Sequence, residues 1–63
     1  MDLRYYLWTE RISKTKFAEM LGVTPQTIFN YTNGRTLPRR FTARLIERLT
    51  DSKVTFEDFY PEG

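Results

Sequence analysis

Four residues in a row, Gly22-Val23-Thr24-Pro25, punctuate the middle of this chain, and apolar residues recur every three or four positions on both sides of them. Glycine after an amphipathic run is the common end of a helix. A threonine followed by proline is a common start, because the hydroxyl can cap free N–H groups and proline suits the first helical position. Two helices joined by so short a turn cannot lie antiparallel and must cross steeply. The small Ala18 stands where they would approach most closely, and Val23 and Ile28 fill the angle between them.

The same punctuation runs through the rest of the sequence. Asp2 can cap a first helix with Leu3, Tyr6 and Leu7 inward. Ser13 can cap a second, with Phe17, Ala18, Met20 and Leu21 inward. Ile28 and Tyr31 form the inner stripe of a third, and Asn33-Gly34 ends it. Pro38 opens a fourth, carrying Phe41, Ala43, Leu45, Ile46 and Leu49. Thr55-Phe56-Glu57-Asp58 reads as a capped start of a short fifth, stopped by Pro61. No alternating run flanks a two-residue turn, so no hairpin is expected. The expectation is an all-α chain of five short helices, with residues 1–63 as one domain. Tyr5 and Trp8 lie off the first helix's inner stripe and are expected to cover the edge of the core. Asp51-Ser52 is expected to form a left-handed, strained turn.

Several function classes are disfavoured. The 63 residues include no cysteine and no histidine, so disulfides, thiolate metal sites and the commonest general base are missing. Between Arg11 and Leu49 the acidic residues are Glu19 and Glu47, and no acid/base pair is convincing. Catalysis, metals and cofactors are therefore not expected. The apolar runs are too short for a membrane span, and Met1-Asp2-Leu3-Arg4 does not read as a signal peptide, so a cytoplasmic protein is expected. Asn30-Tyr31-Thr32 matches a glycosylation sequon by coincidence.

Charge is unevenly placed. Residues 1–10 carry Arg4 against Asp2 and Glu10, a net −1. Residues 11–48 carry Arg11, Lys14, Lys16, Arg35, Arg39, Arg40, Arg44 and Arg48 against Glu19 and Glu47, a net +6. Residues 49–63 carry Lys53 against Asp51, Glu57, Asp58 and Glu62, a net −3. A basic middle suggests a polyanion on one face. Cations at a helix start are disfavoured by the macrodipole, by ~0.3–1 kcal/mol each. Yet Lys14 and Lys16 fall in the first turn of the second helix, and Arg39 and Arg40 in that of the fourth. A docked phosphate would relieve both. The fifth helix, with Glu57 and Asp58 in its first turn, has the ordinary sign and is expected to face away.

Residues 17–35, Phe17-Ala18-Glu19-Met20-Leu21-Gly22-Val23-Thr24-Pro25-Gln26-Thr27-Ile28-Phe29-Asn30-Tyr31-Thr32-Asn33-Gly34-Arg35, resemble the helix-turn-helix of the Cro/CI-type (Xre-like) repressors of phages and bacteria. The likeness extends to Pro38, Ala43, Ile46, Val54 and Phe59, nearly the whole chain. It implies a compact five-helix domain of the lambda-repressor-like type, with the motif at about residues 13–34. It also implies a transcriptional regulator that binds double-stranded operator DNA, usually as a homodimer on a palindrome, and represses by occupancy. A second reading is an antitoxin-like or other protein-interaction module on the same scaffold.

Carried over residue by residue, the resemblance makes Thr24, Gln26, Thr27 and Asn30 the base-contacting positions of a recognition helix over 24–31. Gln26 and Asn30 are four apart on one face, and amide side chains can pair bidentately with adenine N6 and N7. Lys14, Lys16, Asn33, Arg35, Arg39 and Arg40 are the candidate phosphate contacts. Lys14 stands where the family usually has glutamine, and Pro25 where a polar residue is often found. Phe29, also at a usually polar position, is a candidate groove or dimer contact, or folds back toward Phe41 at the core edge. Phe56, Phe59 and Tyr60 in the acidic tail, taken as exposed, are the candidate dimer contact.

Overall fold

Side-chain caps start the first three helices of the computed structural model, which describes residues 1–61. The Asp2 carboxylate accepts from the Tyr5 N–H at 2.7 Å and opens α1, Leu3–Thr9. The Ser13 hydroxyl accepts from the Lys16 N–H at 3.0 Å and opens α2, Lys14–Leu21. The Thr24 hydroxyl accepts from the Thr27 N–H at 3.3 Å and opens α3, Pro25–Thr32, with Pro25 first. Then follow α4, Arg40–Leu49, and α5, Phe56–Phe59. The described residues contain five helices and no strand, the expected all-α class.

The first four helices end alike. In each, a residue in the left-handed region turns the chain and the next N–H reaches back to a carbonyl five residues earlier. These bonds are Ile12 to Leu7 (2.9 Å), Val23 to Ala18 (3.0 Å), Arg35 to Asn30 (2.9 Å) and Ser52 to Glu47 (2.8 Å). The left-handed residues are Arg11, Gly22, Gly34 and Asp51, with φ of 56°, 84°, 73° and 55°. Ser52 is left-handed too, at 66°, so Asp51-Ser52 forms the turn expected of it.

The core gathers Leu3, Tyr6 and Leu7 of α1, Phe17, Ala18 and Leu21 of α2, Ile28 of α3, Ala43 and Ile46 of α4, and Val54, Phe56 and Phe59. Phe17, Ile28 and Ile46 are wholly enclosed, each contributing about 1.5–3 kcal/mol of transfer free energy. Tyr6 meets Phe17 edge-on, with ring centroids 6.4 Å apart.

Thr50 is the buried polar residue of this core. Its hydroxyl lies 2.8 Å from the Ile46 carbonyl and accepts from the Val54 N–H at 3.0 Å, tying the end of α4 to the strandless link before α5. The Glu47 carboxylate accepts from the Phe56 N–H at 2.7 Å, so α4 caps α5 from outside. Tyr60 donates to the Pro38 carbonyl at 2.6 Å, closing the other end.

Several expected inward positions are corrected. Met20 and Phe41 are exposed, Phe41 to 77%. Met20 adjoins Leu21, which takes the inward place on α2, and Phe41, two residues before Ala43, points to roughly the opposite side of α4 from Ala43 and Ile46. Pro38 does not open α4; it is buried two residues ahead, and Arg39 is the N-cap. Tyr5 and Trp8 do not cover the core edge, and Trp8 is 75% exposed. Phe56 and Phe59 are buried rather than exposed, and Tyr60 is half-buried, so the ground for placing a dimer contact there falls away. Glu62 lies outside the described residues.

Candidate nucleic-acid interface

Gly22 makes the junction of α2 and α3. Its φ of 84° suits glycine, and both its own N–H and that of Val23 bond to the Ala18 carbonyl. With Ala18 and Ile28 buried between the helices, α3 packs one side against α2 and turns the other outward.

That outward side carries the residues singled out in the sequence. Gln26 is exposed and Asn30 half-buried, and the Gln26 Nε2 donates to the Asn30 Oδ1 at 3.2 Å. This bond fixes both amides. It leaves Gln26 an acceptor oxygen and a second N–H, which is the pattern needed to meet adenine N6 and N7. Thr24 and Thr27 also face one another, with hydroxyl oxygens 3.0 Å apart. Thr24 Oγ1 is already the helix cap, so Thr27 has the freer hydroxyl. Phe29 is 41% exposed and belongs to neither the core nor its edge cluster.

The candidate phosphate-binding cations join no ion pair among the described residues. Lys14 and Lys16 are exposed in the first turn of α2, which holds no acidic residue. Arg39, at the N-cap of α4, makes no side-chain cap bond, and Arg40 follows it; again the first turn has no acid. Arg35 is exposed just beyond Gly34, and Asn33 is the exposed C-cap of α3. Among the described residues the ion pairs are Met1 ammonium–Asp58 at 3.1 Å and Lys53–Glu10 at 3.4 Å, which involve none of these cations. The guanidinium of Arg40 sits 6.0 Å from the Tyr60 ring centroid, which steadies it without neutralising it. Burial raises the Tyr31 hydroxyl above its ordinary value, with nearby Arg39 partly opposing. Tyr31 therefore stays protonated at neutral pH.

Arg44 differs from its basic neighbours: it lies 4.3 Å over the Phe56 ring and serves the α4–α5 packing. At α5 the Asp58 carboxylate accepts from the Thr55 N–H at 2.8 Å, the expected acidic helix start. Sequence reasoning missed the exposed aromatic pair Tyr5 and Trp8, whose ring centroids are 6.0 Å apart. Their place off the inner stripe was the available signal. No group of three or more potential metal ligands occurs among the described residues. No described helix is long and apolar enough to cross a membrane.

Two crossing helices with a polar, outward second helix make a helix-turn-helix. A helix-turn-helix family profile matches residues 10–56, and the chain belongs to that family, the Xre/Cro-CI-like kind that the sequence resembles. Members are DNA-binding regulatory domains. No curated protein and no solved structure matches the chain.

Proposed function

We propose that this chain is a sequence-specific regulator that represses transcription by occupying a double-stranded operator. The observation that carries the reading is the hydrogen-bonded Gln26–Asn30 pair on the open side of α3, together with helix-start cations that join no ion pair among the described residues. Gln26, Asn30 and Thr27 read base edges, with Thr24 placing the helix start against them. Lys14 and Lys16 grip phosphate at the start of α2, Arg39 and Arg40 at the start of α4, and Arg35 and Asn33 beyond the end of α3. Phosphate contacts set register and affinity, and the amides set sequence.

The same reading makes the active species a homodimer on a palindrome, with half-sites centred about 34 Å apart, one helical turn. Phe29, on α3 itself, is exposed and replaces the buried α5 aromatics as the candidate groove or dimer contact. Selection of bound duplexes from a random pool tests the whole reading. A recurring, inverted pair of short motifs at one-turn spacing is expected. Enrichment of no motif contradicts sequence-specific binding, and a single unpaired motif contradicts the dimer.

A further inference from the structure

Trp8, the chain's single tryptophan, is 75% exposed although most of the other aromatic residues are buried or half-buried. It leans on Tyr5, itself 52% exposed, and forms a ridge between two hollows. The larger, about 780 Å³, is floored by Leu7 and Ile12 and flanked by Arg4 and Lys14. The smaller, about 720 Å³, shares that floor and has Arg11 at its margin. These three cations take part in none of the ion pairs among the described residues. The carboxylate lining the groove, that of Asp2, is committed to the Tyr5 N–H as the α1 cap. The groove is therefore apolar at its base, aromatic at its crest and positive along its sides.

We infer that this groove docks an acidic peptide segment of a partner protein, one apolar side chain lying against Trp8 and Ile12 with carboxylates on both sides of it. The apolar floor argues for a peptide over a phosphodiester, which has charge but no apolar group to fill a hollow. A rigid aromatic pair loses little conformational freedom on binding, which is why tryptophan and tyrosine anchor protein contacts. Unpaired cations on both sides of the ridge select the acidic sequence by charge complementarity. Lys14 lines this groove and also begins α2. A carboxylate drawn to Lys14 takes the place of the phosphate assigned to it, so the docked segment releases the DNA. This competition rests on the operator reading; the docking does not.

The test follows Trp8 fluorescence while the full chain is titrated with end-blocked peptides carrying a leucine flanked by glutamates, beside the same peptides with lysines for glutamates. The acidic peptide should shift the emission to shorter wavelength and the basic one should not. Arg4→Gln should weaken the acidic peptide about tenfold while leaving duplex affinity and melting temperature unchanged, and Lys14→Gln should weaken both peptide and duplex. Adding the acidic peptide to a gel-shift should lower duplex occupancy. Binding of neither peptide, or of both equally, overturns the inference. So does a loss of duplex affinity in Arg4→Gln equal to its loss for the peptide, which assigns the groove to DNA, or a blue shift on concentrating the protein alone, which assigns it to a second copy. Simultaneous binding of peptide and duplex overturns the competition. Failure of the parent chain to bind duplex with no peptide present is scored separately; it contradicts the operator reading and leaves the docking result standing.

Discussion

The side-chain amide of Gln26 donates to that of Asn30 at 3.2 Å across one turn of α3, so the two residues best suited to read adenine hold each other in place. Each is then a contact and a support for the other. Gln26→Ala and Asn30→Ala should each weaken binding to the selected duplex. The double variant should lose less than the sum of the two, with a coupling of about 0.5–1.5 kcal/mol. A double-mutant cycle by fluorescence anisotropy measures it, and strict additivity would show that the pair does not act as a unit.

The starts of α2 and α4 lack acids and carry cations. Lys14→Glu combined with Lys16→Glu gives α2 the sign its macrodipole favours, and should raise the stability of the free protein by about 1 kcal/mol. On DNA the same change sets carboxylates against phosphate. Binding should fall steeply at low salt and recover partly as salt screens the repulsion. A melt and a salt-series gel-shift of the same variant check both. A lower melting temperature, or undiminished binding, contradicts the assignment of these lysines to an anion.

Thr50 should be the costliest small polar residue to replace. Thr50→Val keeps the shape but leaves the Val54 N–H without the hydroxyl that accepts from it at 3.0 Å. A loss of about 1–3 kcal/mol is expected in urea unfolding, with an unchanged denaturant slope. Thr42→Val, at a half-buried site within α4, should cost less.

Acid should loosen the α5 end. Partial burial pushes the Asp58 carboxyl upward, but the Thr55 N–H, the Met1 ammonium and the Thr55 hydroxyl outweigh it and hold the group below the usual aspartate value. A depressed folded value means the stabilisation is complete above the unfolded value, about 3.9, and is lost as pH falls through the folded one. The parent should therefore lose melting temperature below about pH 4 more steeply than Asp58→Asn does. Parallel acid limbs in the two proteins would contradict this.

Helix boundaries were legible because the chemistry that sets them is local. Asp2, Ser13 and Thr24 cap helices with their own side chains, and Gly22 and Gly34 turn left-handed where a side chain is disfavoured. The outward face of α3 was legible because Ile28 marks the inward one. Spacing alone could not sort Met20, which adjoins the stripe residue Leu21, whereas Phe41 and Trp8 lie off the stripes that Ala43 and Ile46, and Leu3 and Leu7, mark out, so their exposure was available in the spacing. Glu47 capping α5 and Thr50 binding Val54 depend on where the chain returns to α4. Arg11 was harder to read as a helix stop than the glycines or Asp51, because the surrounding hydrogen bonds impose a conformation its side chain does not favour.

The central claim is that α3 reads sequence while the cations around it hold the backbone. The most direct measurement is the affinity of Gln26→Ala and Arg35→Ala for the selected duplex and for a random duplex, across a salt series. Gln26→Ala should lose about 1–3 kcal/mol on the selected duplex and almost nothing on the random one. Arg35→Ala should weaken both alike and reduce the salt slope by about one. Equal losses on both duplexes for Gln26→Ala would contradict the assignment of α3 as the recognition helix.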